Sequence, residues 1–270
     1  MSSDARSYLF VPGNRAERFA KALASAADAV VLDLEDAVAV GDKTAAREAV
    51  ARCLADADAA QRRRIVVRIN DEASPGFADD LAMLAAAGAA AAMLPKAEQV
   101  ATLQTLRAAC PGMGIIALIE SARGVLNANA LAAGDGVQRL AFGTLDYALD
   151  LGLSGDPLGL DHAASVLALA SRAAGLPSPV AGVTPEFSEP APLLAEFSRA
   201  RAHGFGAKLC IHPRQVGWVH DALRPSDAEL DWARRVVAAA KASSGALQVD
   251  GRMVDRPVLQ RALRLLAQAR

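Results

Sequence analysis

Eight short apolar runs, separated by alanine-rich amphipathic stretches, limit this chain to an alternating strand–helix architecture. The runs are SYLFVP (7–12), AVVLDLED (29–36), RIVVRIN (64–70), AAMLPK (91–96), GIIALIE (114–120), RLAFGTLD (139–146), SPVAGV (178–183) and AKLCIH (207–212). Each is of strand length and rich in β-branched or aliphatic residues, as buried strands are. Residues 15–26, 43–57, 98–109 and 191–203 read as helices, several opening after Pro, Asp or Ser. Roughly eight strand–helix units in 270 residues predict an α/β fold, a (β/α)8 TIM barrel. An open doubly wound sheet is the competitor, and no GxGxxG loop opens the first helix to support a dinucleotide-binding version of it.

The barrel is expected over residues 1–222, with residues 223–270 as a C-terminal extension. There, Pro225 to Ser243 reads as a helix with Ser226 as N-cap and Asp227 and Glu229 in its first turn. Residues 243–257 read as a loop with a small hairpin around Asp250-Gly251, and a last basic helix runs from about Pro257 to Arg270. A barrel closes without such a tail, so it is expected to be a lid, a subunit contact, or both.

Composition removes several function classes. The net charge of -1 gives no basic bias toward nucleic acid or anionic membranes, so an anion site must be local. Cys53, Cys110 and Cys210 are far apart and form no CxxC pair, which suits reduced thiols in a cytoplasmic protein. The start, MSSDARSYLF, lacks the apolar stretch of a signal peptide. The most lipid-like segment, Leu81 to Leu94, is broken by Gly88 and is shorter than the ~20 residues a span needs.

Chemistry concentrates where the runs end, the face on which barrel enzymes place their active sites. These ends offer Asp33, Glu35, Asp36, Arg68, Asn70, Lys96, Glu120, Asp146 and His212. A solvated rim of ordinary salt bridges is the plain alternative. Alternation along the second run is expected to turn Asp33 toward the helices, and Glu35 and Asp36 suit helix capping or arginine pairing as well as ligand contact. Glu120 and Asp146, from neighbouring strands, suit one Mg2+, a hard ion that keeps waters beside one or two carboxylates. Open positions on such an ion take a 2-keto acid, whose carboxylate Arg68 clamps with its planar fork of donors. That set favours making or breaking a C–C bond beside a carbonyl. Gly13-Asn14 forms a tight turn before a helix carrying Arg15, Arg18 and Lys21, which suit either an anionic group or simple helix solubility. Lys43 is read the same way.

The segments RSYLFVPGNR (6–15), VVLDLEDAV (30–38), VRIN (67–70), MLPKAE (93–98), LIESARG (118–124), FGTLD (142–146), KLCIHPRQV (208–216) and GRMVDRP (251–257) together resemble the citrate lyase beta subunit family, the citryl-CoA lyase-like Mg2+ barrels related to malyl- and citramalyl-CoA lyases. Their order and spacing carry the resemblance across nearly the whole chain. It implies a barrel assembled as a homotrimer or hexamer, acting on a CoA or acyl-carrier thioester and a 2-keto acid such as oxaloacetate, pyruvate or glyoxylate. It implies Glu120 and Asp146 as metal ligands and Arg68 as substrate clamp. Phe10, Lys21 and Lys43 fall where relatives contact substrate or the CoA arm. It also implies that Asp255 enters a neighbouring subunit's site as general acid/base, although an aspartate two residues before Pro257 reads most simply as a turn residue or N-cap. One departure is Ala181, in PVAGVTPEFSE, where relatives carry an aspartate.

The expected reaction is Mg2+-dependent retro-Claisen cleavage of a 3-hydroxy-acyl thioester, with citryl-, malyl- and citramalyl-thioesters all fitting. The alternatives are a class II pyruvate-type aldolase working without CoA and a non-catalytic keto-acid-binding barrel.

Overall fold

In a computed structural model that describes residues 5–242 and 247–268, eight parallel strands close into a barrel in sequence order. They are β1 (Ser7–Pro12), β2 (Ala29–Asp33), β3 (Ile65–Arg68), β4 (Ala91–Leu94), β5 (Gly114–Ile119), β6 (Val137–Phe142), β7 (Val180–Ala181) and β8 (Ala207–Cys210). Closure is made by β1 pairing with β8, Tyr8 standing opposite Leu209. The (β/α)8 architecture read from the eight runs is therefore the fold, and the open sheet is excluded because no strand of it is left at an edge. Among the described residues no helix is long and apolar enough to cross a membrane.

Alternation decides which side chains fill the barrel. Successive residues of a strand face opposite sides, and the interior is packed from Tyr8, Ala29, Val31, Val66, Ala91, Met93, Ile116, Leu118, Ala141, Val180, Ala207 and Leu209. Many are small, which leaves room for Tyr8 and Met93. Arg139 shares the inward parity of Ala141 and plugs the amino-terminal end of the barrel. Its guanidinium donates to the carbonyls of Ala5 (2.5 Å) and Ser178 (2.7 Å) and to the Tyr8 hydroxyl (3.1 Å). Each of those bonds replaces water lost on burial, without which the charge would cost several kcal/mol.

The runs overreach the strands at their carboxyl ends, and for one residue this matters. Asp146 does not end a strand, because β6 stops at Phe142 and Asp146 lies in the first turn of the helix Thr144–Asp150. Gly143 breaks the extended run between them.

The chain divides into two compact units between His220 and Asp221. The second contains the helix Asp227–Ala242, the strands β9 (Leu247–Val249) and β10 (Arg252–Val254), and the helix Arg256–Gln268. Ser226 and Glu229 form a reciprocal cap at the first helix, Glu229 N–H donating to Ser226 Oγ (3.3 Å) and Ser226 N–H to Glu229 Oε2 (2.9 Å). β9 and β10 are antiparallel, joined through Asp250 (φ 53°) and Gly251 (φ 74°), both left-handed as a two-residue hairpin turn of this twist requires. The unit buries Ala233, Val236, Val254 and Ala262 as its own small core. Residues 243–246, where the loop expected over 243–257 begins, lie outside the described residues.

Candidate active site

The inward parity that builds the barrel core continues to its carboxyl end and there turns polar. Tyr8 is followed by Phe10, Ala29 and Val31 by Asp33, Val66 by Arg68, and Ile116 and Leu118 by Glu120. Asp33 therefore does not turn toward the helices: it stands on the interior side, 1% exposed, and meets Arg68. The corrective signal was available in the sequence as the two-residue spacing Ala29, Val31, Asp33.

Arg68 is the centre of this layer. Its Nε donates to Asp33 Oδ1 at 2.7 Å and its Nη2 to Asp33 Oδ2 at 2.6 Å, a two-pronged pair. Nη1 lies 2.8 Å from Glu35 Oε2, and Asp36 stands farther off at 3.9 Å. The guanidinium sits over the Phe10 ring, with Cζ 4.9 Å from the ring centroid. Burial works against the charge of Arg68, but the hydrogen bonds and charges of Asp33, Glu35 and Asp36 outweigh it and raise its pKa. Glu35 and Asp36 thus take the arginine-pairing role rather than capping a helix.

Lys96, at the end of the fourth run, is a site residue that sequence reasoning placed on the rim but gave no role. Its backbone is left-handed, with φ 46°, a conformation rare for a side-chain-bearing residue and common at functional sites. That twist aims its N–H at Glu120 Oε1 (2.7 Å) and sends its Nζ to Asp71 (3.3 Å) and Glu35 (3.5 Å). Gly143 is the other missed residue. A Cβ there would come within 2.4 Å of Glu120 Oε2, so the glycine that follows β6 keeps open the space that Glu120 fills.

The acids outnumber the cations that face them. Burial, with the charges of Glu35 and Asp146 adding to it, pushes the Glu120 carboxyl up to about 8. Burial also raises Glu35 to about 7, where Arg68 and Lys96 pull down against the charges of Asp36 and Asp33. The buried Glu35 Oε2 has Arg68 close by but receives no aligned hydrogen bond. An orphaned buried oxygen and two acids that resist ionisation leave this layer short of positive charge. The donors are all carboxylate oxygens, the set that suits a hard divalent ion such as Mg2+. Among the described residues no three His, Cys, Asp or Glu side chains converge as a ready-made cage, which fits an ion held by two carboxylates and completed by water or substrate oxygens.

The remaining expected residues are more dispersed. Lys43 turns back on its own loop, Nζ donating to the carbonyls of Leu34 and Glu35 at 2.6 Å each, so it braces the segment that carries Glu35. Lys21 is exposed on the short helix Phe19–Leu23, and Arg15 and Arg18 are occupied by Glu17. Asn70 turns away to the buried Asp80, and the His212 ring stacks on Phe187. Asp255 lies in the second unit as the N-cap of the helix Arg256–Gln268, its Oδ1 accepting from Val258 N–H (3.0 Å).

Known proteins share both the chain pattern and the barrel. A citrate lyase subunit beta-like protein of Mycobacterium tuberculosis is 40% identical over 269 residues, 97% of this chain and 94% of that protein. A (3S)-malyl-CoA thioesterase of Cereibacter sphaeroides is 36% identical over 270 residues, 98% of this chain and 94% of that protein. The crystal structure of Mycobacterium tuberculosis CitE with magnesium, acetoacetate and coenzyme A superposes with a TM-score of 0.90 at 39% identity, covering 99% of each chain. The pattern of one family matches residues 6–213, a span that holds every strand of the barrel and the whole Arg68 layer, and the chain therefore belongs to the HpcH/HpaI aldolase/citrate lyase family.

Proposed function

We propose that this chain is a Mg2+-dependent carbon–carbon lyase that cleaves a 3-hydroxy-acyl thioester, such as citryl-, malyl- or citramalyl-CoA, to a 2-keto acid and a shorter acyl thioester. The observation that carries the reading is the layer of carboxylates at the barrel's carboxyl end, where Glu120 is buried with one backbone N–H on it and the buried Glu35 Oε2 has no hydrogen-bond partner; burial and the neighbouring acids push the Glu120 carboxyl up. Such a site calls for a cation, and the CitE relative holds magnesium beside acetoacetate and coenzyme A.

Glu120 and Asp146 would hold the ion, which supplies Lewis-acid stabilisation of the oxygen where charge develops. Arg68 is held by Asp33, Glu35 and Phe10, which spares the orientation entropy of a loose side chain, and it would clamp the substrate carboxylate through Nη1, in exchange for Glu35. Lys96 holds Glu120 by its backbone N–H and sets its Nζ between Asp71 and Glu35. A base would take the hydroxyl proton, the hydroxyl carbon would become the keto carbon of the 2-keto acid, and the electrons of the broken C–C bond would leave on the thioester fragment as its enolate. Asp255 of the partner subunit would protonate it, and would abstract the proton in the synthetic direction. Ala181, where relatives carry an aspartate, leaves the acyl group open among the three thioesters.

The deciding experiment is a panel of citryl-, malyl- and citramalyl-CoA assayed with and without Mg2+. Mg2+-dependent release of oxaloacetate, glyoxylate or pyruvate supports the lyase. Cleavage of hydroxy-keto acids without CoA would return the class II aldolase reading, and keto-acid binding with no turnover the non-catalytic one. Likeness to the malyl-CoA thioesterase favours a second reading, hydrolysis of the thioester itself. Malate and free CoA, in place of glyoxylate and acetyl-CoA, identify that outcome.

A further inference from the structure

On the same rim as Arg68 and Glu120, the loops that follow β7 and β8 are bolted together by one buried amide. Gln215, in the first turn of the helix Pro213–Leu223, has no exposed surface. Its Oε1 accepts from the N–H groups of Ile211 (2.8 Å) and His212 (3.3 Å). Its Nε2 donates to the carbonyls of Thr184 and Glu186, at 2.9 Å each. Two acceptor positions and two donors are all the amide has, so its hydrogen-bonding capacity is used completely.

The loop after β7 is anchored twice more. The buried Lys208 donates to Gly182 O at 2.7 Å, and the Thr184 hydroxyl donates to Glu196. The result is a Phe187 ring stacked on the His212 ring, with centroids 5.0 Å apart and planes 16° apart. Phe187 nevertheless remains 46% exposed. An aromatic side chain held at a barrel mouth by buried hydrogen bonds, rather than by core packing, is a preorganised surface that costs a ligand little to meet.

We propose that Gln215 is a positioning residue that holds the Phe187–His212 pair as a rigid contact for the part of the thioester lying outside the metal carboxylates. This rests on the thioester reading above. The pair offers two stacked rings, one of them 46% exposed, so the contact favours a flat or apolar portion of the substrate. A contact made alike in the ground and transition states changes KM and leaves kcat.

The test compares the wild type with Phe187→Leu, Gln215→Glu and the double variant. It measures kcat and KM on the most active thioester, and the Kd of free coenzyme A by calorimetry. Each single change should raise KM and Kd about tenfold with kcat within about threefold, and the double variant should be no worse than either. Phe187→Leu alters a half-exposed side chain, so it decides the matter if Gln215→Glu fails to fold. Unchanged KM and Kd in Phe187→Leu, or a loss confined to kcat, overturns the proposal. A wild type that binds coenzyme A but turns over no thioester sinks only the lyase reading, and the Kd comparison still decides the role of the aromatic pair. A wild type that does not bind coenzyme A sinks both.

Discussion

Asp33 and Arg68 are register partners on adjacent parallel strands, and the carboxylate grips the guanidinium by two bonds of 2.7 and 2.6 Å. Both side chains are held on the barrel interior, and Asp33 also accepts from the N–H groups of Glu35 (2.9 Å) and Ala37 (3.3 Å), so it ties Arg68 to the turn after β2. Asp33→Ala should therefore destabilise the fold by about 3–5 kcal/mol, the usual cost of leaving one member of a buried pair unmatched. Chemical denaturation gives the number. A loss under about 1 kcal/mol would mean that Glu35 and Asp36 already suffice to hold Arg68.

Asp146 stands on the first turn of a helix and is only part-buried, so it can be removed without opening the core. Asp146→Ala should abolish Mg2+-dependent turnover while the melting temperature stays within a few degrees of wild type. Undiminished turnover would remove Asp146 from the metal site.

The acids of the site give a signed pH dependence. Glu35 ionises near 7 and Glu120 near 8, against 4.5 for an unperturbed glutamate. Between those limits the folded chain holds more protons than the unfolded one, so the metal-free protein loses stability as pH rises from about 5 to 8. Mg2+ favours the ionised acids, so its stabilising effect should grow over the same interval and its binding should release protons. Melting curves at several pH values, with and without Mg2+, read both trends. Parallel curves with a constant offset would contradict the assignment.

Gly143→Ala would place a methyl group 2.4 Å from Glu120 Oε2. Glu120 must then move, and apparent Mg2+ affinity should fall roughly tenfold, as when the support of a metal ligand is disturbed. Titration by isothermal calorimetry checks this, and wild-type affinity would show that Glu120 has slack.

Asp255→Asn separates two roles of one residue. Asparagine caps a helix as well as aspartate does, so stability should change by less than about 0.5 kcal/mol. Turnover should fall at least ~100-fold, the usual range for a lost general acid/base, while keto-acid binding is retained. Full activity would leave Asp255 as a cap alone.

What the sequence determined by itself was a parallel α/β fold of about eight strand–helix units, because apolar runs at helical separations bury both faces of their strands; closure of β1 on β8 is what made it a barrel rather than an open sheet. It also determined the hairpin at Asp250-Gly251 and the cap at Ser226, since both depend on neighbours within a few residues. The acidic rim was legible as a set of residue types at run ends. The two-residue spacing Ala29, Val31, Asp33 also carried the side of the barrel that Asp33 faces, but tertiary structure decided which partners the set takes. Whether Asp33 serves Arg68, whether Lys43 faces a ligand or its own loop, and how Lys96 comes to hold Glu120 all depend on contacts between residues 8 to 35 positions apart. Such pairings are fixed by strand register and by a left-handed turn at Lys96, and neither leaves a periodic trace in the chain. The tie from Gln215 to the loop before it is of the same kind: an amide in a helix reads as any polar residue until the fold brings four backbone groups around it.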